Sequence, residues 1–323
     1  MSFRIQARQR PDEEVRRVVT ERIEKAKEAL AAGSAEGVHN ARKRLKEIRA
    51  VLRLVRGPLG KNTFATQNIR FRDLGQGLSS LRDASAIVES WDALAAQNRK
   101  RFTSAAMKRV RARLVERAEN AAQSEAGSAH TDLLVELDDA RHEVATWKLK
   151  GKGFGLFEGG VLKTYRDGRR ALKVAIADPT DDTLHEWRKR VKDHWYQTQL
   201  LMDIWPAQFK ARQKYLKKLS EYLGDDHDLA VMQDLLLQEP ELFGAGTTRQ
   251  ALGESIVARR AELQSRAIEL GLKVYLDKPN ALVEYWQGLW NITAKPGAWQ
   301  KKRKTAKPAG LLPHLITEPV HDD

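Results

Sequence analysis

Residues 184–205 read Leu-His-Glu-Trp-Arg-Lys-Arg-Val-Lys-Asp-His-Trp-Tyr-Gln-Thr-Gln-Leu-Leu-Met-Asp-Ile-Trp. At a helical step of about 100° per residue, His185, Arg188, Lys189 and Lys192 fall at i, i+3, i+4 and i+7, one stripe of a helix. Val191, Trp195, Thr198, Leu201, Met202 and Trp205 fall on a neighbouring stripe, the face such a helix buries. The cations therefore border the core, whereas solubilising charges point away from it. That placement suits an anion. Residues 38–56 repeat it: His39, Arg42, Lys43, Lys46 and Arg53 keep the spacing, Arg49 joins the candidate cations, and Ala41, Leu45, Ile48, Leu52 and Val55 form the apolar face. The offset of 146 residues also carries Arg44 onto Arg190.

Further matches follow in the same order. Leu78-Ser-Ser-Leu-Arg-Asp-Ala-Ser-Ala-Ile aligns with Leu223-Gly-Asp-Asp-His-Asp-Leu-Ala-Val-Met, and Arg111, Leu114 and Arg117 share their spacing with Arg260, Leu263 and Arg266. A tandem duplication explains all three. No segment sustains the period-2 alternation of strands, so the expected fold class is all-α.

The composition narrows the function. A chain of 323 residues is long enough to bury a substantial core. Its formal charge of +14 points to polyanionic partners or anionic surfaces, without choosing among nucleic acid, phosphate polymers and lipid headgroups. With no cysteine there is no disulfide framework, thiolate zinc site or cysteine nucleophile. The first residues lack the apolar core of a signal peptide and no apolar run reaches eighteen residues, so a soluble cytoplasmic protein is expected.

In chain order, Pro11-Asp12-Glu13-Glu14 starts a helix that runs to about Ala32. Gly57-Pro58 stops the first stripe helix. Residues 62–97 read as helices broken or bent near Gly75 and Gly77, residues 99–123 as one basic amphipathic helix, and residues 129–147 as another after a minor break at Gly127-Ser128. Lys150-Gly-Lys-Gly-Phe-Gly separates the halves; without a preceding strand or a Gly-Lys-Thr/Ser ending it is a linker and no phosphate loop. Residues 157–177 place Lys163, Arg166 and Arg170 beside Val161, Leu162, Tyr165 and Leu172. Asp178-Pro179-Thr180-Asp181-Asp182 opens the central helix and Pro206 closes it. Residues 208–237 carry Lys214, Lys217 and Lys218, with a bend expected at Gly224-Asp225-Asp226. Residues 281–292 form the last helix. From Lys295 the chain is rich in Pro, Gly and Lys and is expected to be a mobile tail.

Leu184-His-Glu-Trp-Arg-Lys-Arg-Val-Lys-Asp, Leu223-Gly-Asp-Asp-His-Asp-Leu-Ala-Val, Thr164-Tyr-Arg-Asp-Gly-Arg-Arg-Ala and the copy Val38-His-Asn-Ala-Arg-Lys-Arg-Leu-Lys together resemble the CHAD family, the conserved histidine α-helical domain. The resemblance spans residues 8–293, with a first half at 8–149, a second at 156–293 and a basic tail at 294–323. It implies two pseudo-twofold-related four-helix bundles around a basic central cavity that binds inorganic polyphosphate, in a stand-alone member without catalysis, cofactor or metal. A cytoplasmic protein targeted to polyphosphate granules would follow. Carried over by position, the binding residues are His39, Arg42, Lys43, Lys46, His185, Arg188, Lys189 and Lys192, then Lys214, Lys217, Lys218 and Arg72. Arg49 and Arg53 join them from the first stripe helix, and Arg111, Lys163, Arg166, Arg170 and Arg260 are additional candidates. Ser79 and Ser85 depart from the family pattern.

Physically the assignment is coherent. Polyphosphate has no base edges or rings, so its binder needs many donors along a groove: Arg as a planar fork, Lys as a point charge, His as a hydrogen-bond donor. Neighbouring Arg and Lys should lower the pKa of His39 and His185 and keep them neutral at pH 7. The rival reading is a general nucleic-acid-binding protein, yet no helix-turn-helix or RNA-recognition signature is visible, and Trp187, Trp195 and Trp205 lie on the apolar stripe; incidental electrostatic binding is expected. A metal-dependent phosphohydrolase built on Asp225-Asp226-His227-Asp228 ranks below both. His185 and His194, nine residues apart, point to opposite helix faces, and the first-half counterpart of His227-Asp228 is Arg82-Asp83.

Overall fold

A computed structural model describes residues 3–78, 80–125 and 131–295 of the chain. Ser79, Gly127-Ser128 and all residues from Pro296 lie outside them, as do the side chains of Arg82, Asp83 and Ser85. The described residues contain helices and no strand. The first four helices are α1 (Pro11–Ala31), α2 (Ala35–Leu54), the single turn α3 (Arg56–Leu59) and α4 (Lys61–Gln76). Then come α5 (Ser80–Gln97), the single turn α6 (Arg99–Phe102), α7 (Ala105–Glu125) and α8 (Thr131–Ala145). After a linker the order is α9 (Gly155–Ala177), α10 (Asp181–Leu200), a 3-10 turn at Met202–Ile204, and the long α11 (Pro206–Gln238). A second 3-10 turn at Pro240–Phe243, α12 (Gly246–Val274) and α13 (Pro279–Ala294) complete the chain.

Local chemistry sets the ends of the two stripe helices. Ser34 caps α2 by accepting from the Gly37 amide at 3.0 Å. Thr180 caps α10 in a reciprocal capping box with Thr183, and Asp181 and Asp182 follow in its first turn. Pro206 occupies the first turn of α11, where its missing amide proton matters least. Gly151 and Gly153 take positive φ in the linker before α9.

Three elements differ from the sequence reading. Residues 99–123 are two helices with a break at Thr103-Ser104, where Thr103 Oγ1 turns back to donate to Lys100 O. Gly57-Pro58 lies inside the short α3, one turn beyond the end of α2. The bend expected at Gly224-Asp225-Asp226 is absent, and α11 runs straight through it. Packing overrides propensity there: Gly224 faces the Arg188 guanidinium, and buried Asp226 accepts from Arg260 Nε at 3.1 Å and Gln264 Nε2 at 2.9 Å.

Packing joins the halves. α1 pairs with α2 and α8, α2 with α4, α9 with α10, and α11 with both α10 and α12; across the linker, α2 touches α9 and α10, and α5 touches α11. One apolar core runs from Val15, Ile23, Leu45 and Leu52 through Val161, Trp187, Val191 and Leu219 to Trp286 and Trp290. A second joins Ile87, Trp91, Val110 and Leu114 of α5 and α7 to Leu229, Met232, Ile256 and Leu263 of α11 and α12. Both cores therefore draw on residues from each side of the linker. At Gly160 the backbones of α9 and α2 meet so closely that a Cβ would collide with Leu54 O.

Candidate functional site

α2 and α10 lie side by side, bridged by Arg53 Nη1 to Asp193 Oδ1 at 2.9 Å. Together with α4 they wall a cavity of about 500 Å³ lined by Arg42, Lys46, Arg49, Arg53, Arg72, Lys189 and Arg190, with Leu45, Phe71, Gly75, Gln76 and the single carboxylate Glu186. Leu45 and Phe71 turn into the core, so the cations stand on an apolar floor as the stripe pattern requires.

The cations are held differently. Arg190 bonds Glu186 at 2.9 Å and Asp193 at 3.3 Å, Lys189 lies 3.5 Å from Glu186, and Arg72 bonds its neighbour Asp73 at 2.8 Å. Asp193 is buried, and burial raises its pKa against the opposing pull of Arg53, Arg190 and Arg49. Arg49 donates to Asn68 Oδ1 at 3.3 Å, and no carboxylate among the described residues forms an ion pair with it. Burial, then the like charge of Arg53 and more weakly of Arg72, pushes its pKa down to about 10, while Asp193 and Asp73 oppose. An anion in the cavity would relieve that repulsion.

Of the cations expected from sequence, Arg42, Lys46, Arg49, Arg53, Arg72 and Lys189 meet around this cavity. The others stand elsewhere. His39 and Lys43 are exposed on α2, and Lys192 is half-buried on α10. Arg188 packs over Gly224, where a Cβ would lie 3.0 Å from its Nη2. Lys214, Lys217 and Lys218 are exposed on α11; the last two lie 3.6 and 3.7 Å from Glu221, and Lys218 also covers the Tyr222 ring. Lys163 and Arg170 both bond Asp167, and Arg166 is exposed. Arg111 forms a bidentate pair with Asp92 at 2.6 and 2.7 Å. Arg260 is engaged by Asp226, Gln233 and Asp181.

His185 lies against His227 of α11, ring centroids 4.4 Å apart. Its pKa falls to about 4, first through burial and then through His227, Lys189 and Arg188. The direction agrees with the sequence reading; burial and the second histidine were invisible to it. The rest of the Asp225–Asp228 motif is divided. Asp226 holds Arg260, whereas Asp225 and Asp228 line a small pocket of about 250 Å³ with Glu89 and Arg259. Among the described residues no three His, Asp or Glu side chains come together as a metal site. Trp187 is buried and Trp195 half-buried, but Trp205 is exposed, contrary to its place on the apolar stripe, because α10 ends at Leu200 and the helical phase is lost in the turn that follows.

Sequence reasoning missed Arg190, Glu186 and Asp193 as parts of the site. Signals existed: Arg190 is the offset partner of Arg44, and Glu186 stands at i−3 and i−4 from Lys189 and Arg190. The tie between Arg53 and Asp193 joins residues 140 apart and left no local trace.

A family profile for the CHAD domain matches residues 17–237, more than half of the chain. The chain belongs to the CHAD family. Among solved structures it is similar to the CHAD domain crystal structure from the plant Ricinus communis, at 21% identity and a TM-score of 0.60, covering 84% of this chain and 95% of that one. That likeness concerns the fold. No curated protein matched. No helix among the described residues is long and apolar enough to cross a membrane.

Proposed function

We propose that the protein binds inorganic polyphosphate, without catalysis, along the basic cavity between α2, α4 and α10. The observation that carries this reading is the set of cations, Arg42, Lys46, Arg49, Arg53, Arg72, Lys189 and Arg190, gathered on three helices around a single carboxylate. A chain carrying about one charge per phosphate can satisfy several of them at once, and release of its counterions would make affinity fall steeply with salt. Membership of the CHAD family supports the ligand class, since the resemblance implies polyphosphate.

The wider arrangement is read as a tandem duplication forming two pseudo-twofold-related four-helix bundles, residues 8–149 and 156–293, around a central basic cavity. The repeated element order supports it: α1, α2 and α8 have lengths of 21, 20 and 15 residues, and α9, α10 and α13 have 23, 20 and 16. α4 and α5 stand where the second half has the single α11. Cytoplasmic residence and targeting to polyphosphate granules belong to the same proposal. Nucleic acid is expected to bind only electrostatically at low salt, because the cavity wall offers phosphate-binding cations and only the buried ring of Phe71 for stacking.

The test is a long-chain polyphosphate isotherm on a variant with the exposed cavity cations Lys46 of α2, Arg72 of α4 and Lys189 of α10 all changed to Glu. Binding should be abolished with helix content intact. Loss of folding instead would make these cations structural, and unaltered binding would sink the proposal.

A further inference from the structure

The outer face of α13 carries an apolar stripe that the anion reading does not use. Tyr285, Gly288, Leu289 and Ile292 follow helical spacing, with Tyr285 44% and Ile292 65% exposed. Trp205, 46% exposed at the start of α11, extends it. Two bonds make the patch continuous: Gln208 Nε2 donates to Tyr285 Oη at 2.9 Å, and Thr293 Oγ1 donates to Ile204 O at 2.8 Å. Isolated exposed apolar residues are ordinary, but a contiguous aromatic and aliphatic stripe marks an interaction surface.

The first half supplies an internal comparison. The offset of 146 superposes α13 on α8, and the burial pattern follows: Leu137, Ala140 and Val144 are buried, as are Val283, Trp286 and Trp290. At that offset the counterparts of Tyr285, Gly288, Leu289 and Ile292 are Asp139, His142 and Glu143 of α8 and Thr146 just beyond it, all polar and exposed. The fold does not require an apolar outer stripe, so the second half has a separate use for one.

We propose that this face is covered by residues 311–316 of the same chain, Leu-Leu-Pro-His-Leu-Ile. α13 ends at Ala294 on the rim of the patch, and the chain continues from there. Residues 295–310 are mostly Lys, Arg, Gly, Pro and Ala, and Leu311-Leu312 with Leu315-Ile316 form the concentrated apolar segment beyond them. A tether of about sixteen residues has a root-mean-square reach of roughly 20 Å. From Lys295 back to Tyr285 is about 15 Å along the helix. Reach and face match in scale, and the basic run Lys301-Lys302-Arg303-Lys304 falls within the tether.

The chain has no cysteine, so an introduced pair reports cleanly. The full chain carrying Ile292→Cys and Leu312→Cys is oxidised at low protein concentration with glutathione disulfide, and intramolecular closure is followed by thiol loss and mass. The control pair is Val135→Cys with Leu312→Cys, at a comparably exposed site on α8. Rates are normalised to each thiol's reactivity with a small disulfide. Closure at Ile292 should run at least about tenfold faster than at Val135, because a seated segment has the higher effective concentration. Adding Leu311→Asp and Leu315→Asp should remove that advantage. Equal rates for the two pairs overturn the proposal. Disulfide-linked dimers whose yield rises with protein concentration also overturn it, and assign the face to a second copy.

Discussion

Arg49→Met tests whether binding and folding can be separated at the cavity. The guanidinium is half-buried, donates to Asn68, and is held beside Arg53 and Arg72 with its pKa pushed down to about 10. Methionine keeps much of the aliphatic stem in the cavity wall that Leu45 and Phe71 also line. Two small effects oppose each other in the unliganded protein. Losing the Asn68 bond removes about 0.5–1.5 kcal/mol. Relief of like-charge repulsion, screened by solvent on the open side, returns at most ~1 kcal/mol. Stability should therefore stay within roughly 1 kcal/mol of the parent. In the proposed polyphosphate complex the same guanidinium would make a charge-assisted contact to phosphate, for which about 1.5–3 kcal/mol is typical. Affinity should fall roughly 10- to 100-fold. The slope of log affinity against log salt should shrink by about 0.7–0.9, one phosphate contact. Isotherms with long-chain polyphosphate at several salt concentrations, beside thermal melts, read both quantities. Unchanged affinity and slope would remove Arg49 from the binding track; a large fall in melting temperature would make it a structural residue.

Two further substitutions probe what surrounds the cavity. Arg260→Ala leaves buried Asp226 without its cation, which should destabilise the fold by roughly 3–5 kcal/mol in chemical denaturation, while the folded fraction keeps its polyphosphate affinity. For pH, His185 titrates near 4 in the fold and near its ordinary value of about 6.5 when unfolded. Between those values the unfolded chain takes up a proton that the folded chain refuses, so stability falls as pH drops from about 6.5 to 4. His227, also lowered chiefly by burial, adds in the same direction. Melting temperature against pH should be flatter across this window in His185→Gln than in the parent; parallel curves would deny the histidine its part.

The helical class, the two stripe helices and most element positions were legible because they depend on spacing and on capping residues such as Ser34, Thr180 and Pro11. Five cavity cations, Arg42, Lys46, Arg49, Arg53 and Lys189, were legible for the same reason, since each lies at the edge of an apolar stripe; Arg72 came from the family resemblance. Tertiary charge pairing was not. Arg111 and Arg260 have the same character in sequence as Arg42, and only the fold brings Asp92 and Asp226 against them. The cavity also depends on Asp193, an acid inside a basic segment whose partner Arg53 lies across the interface between two helices. Gly224 misled in the opposite sense: its local turn propensity yields to the packing of Arg188 on one side and Asp226 with Arg260 on another.

The measurement that tests polyphosphate binding most directly is an isotherm for long-chain polyphosphate at near-physiological salt, with duplex DNA, RNA and triphosphate as competitors. Tight binding that the nucleic acids do not displace, and that weakens in Arg49→Met, is the expected result. Equal or better binding of nucleic acid, indifferent to Arg49, would contradict it and make the cavity a general anion surface.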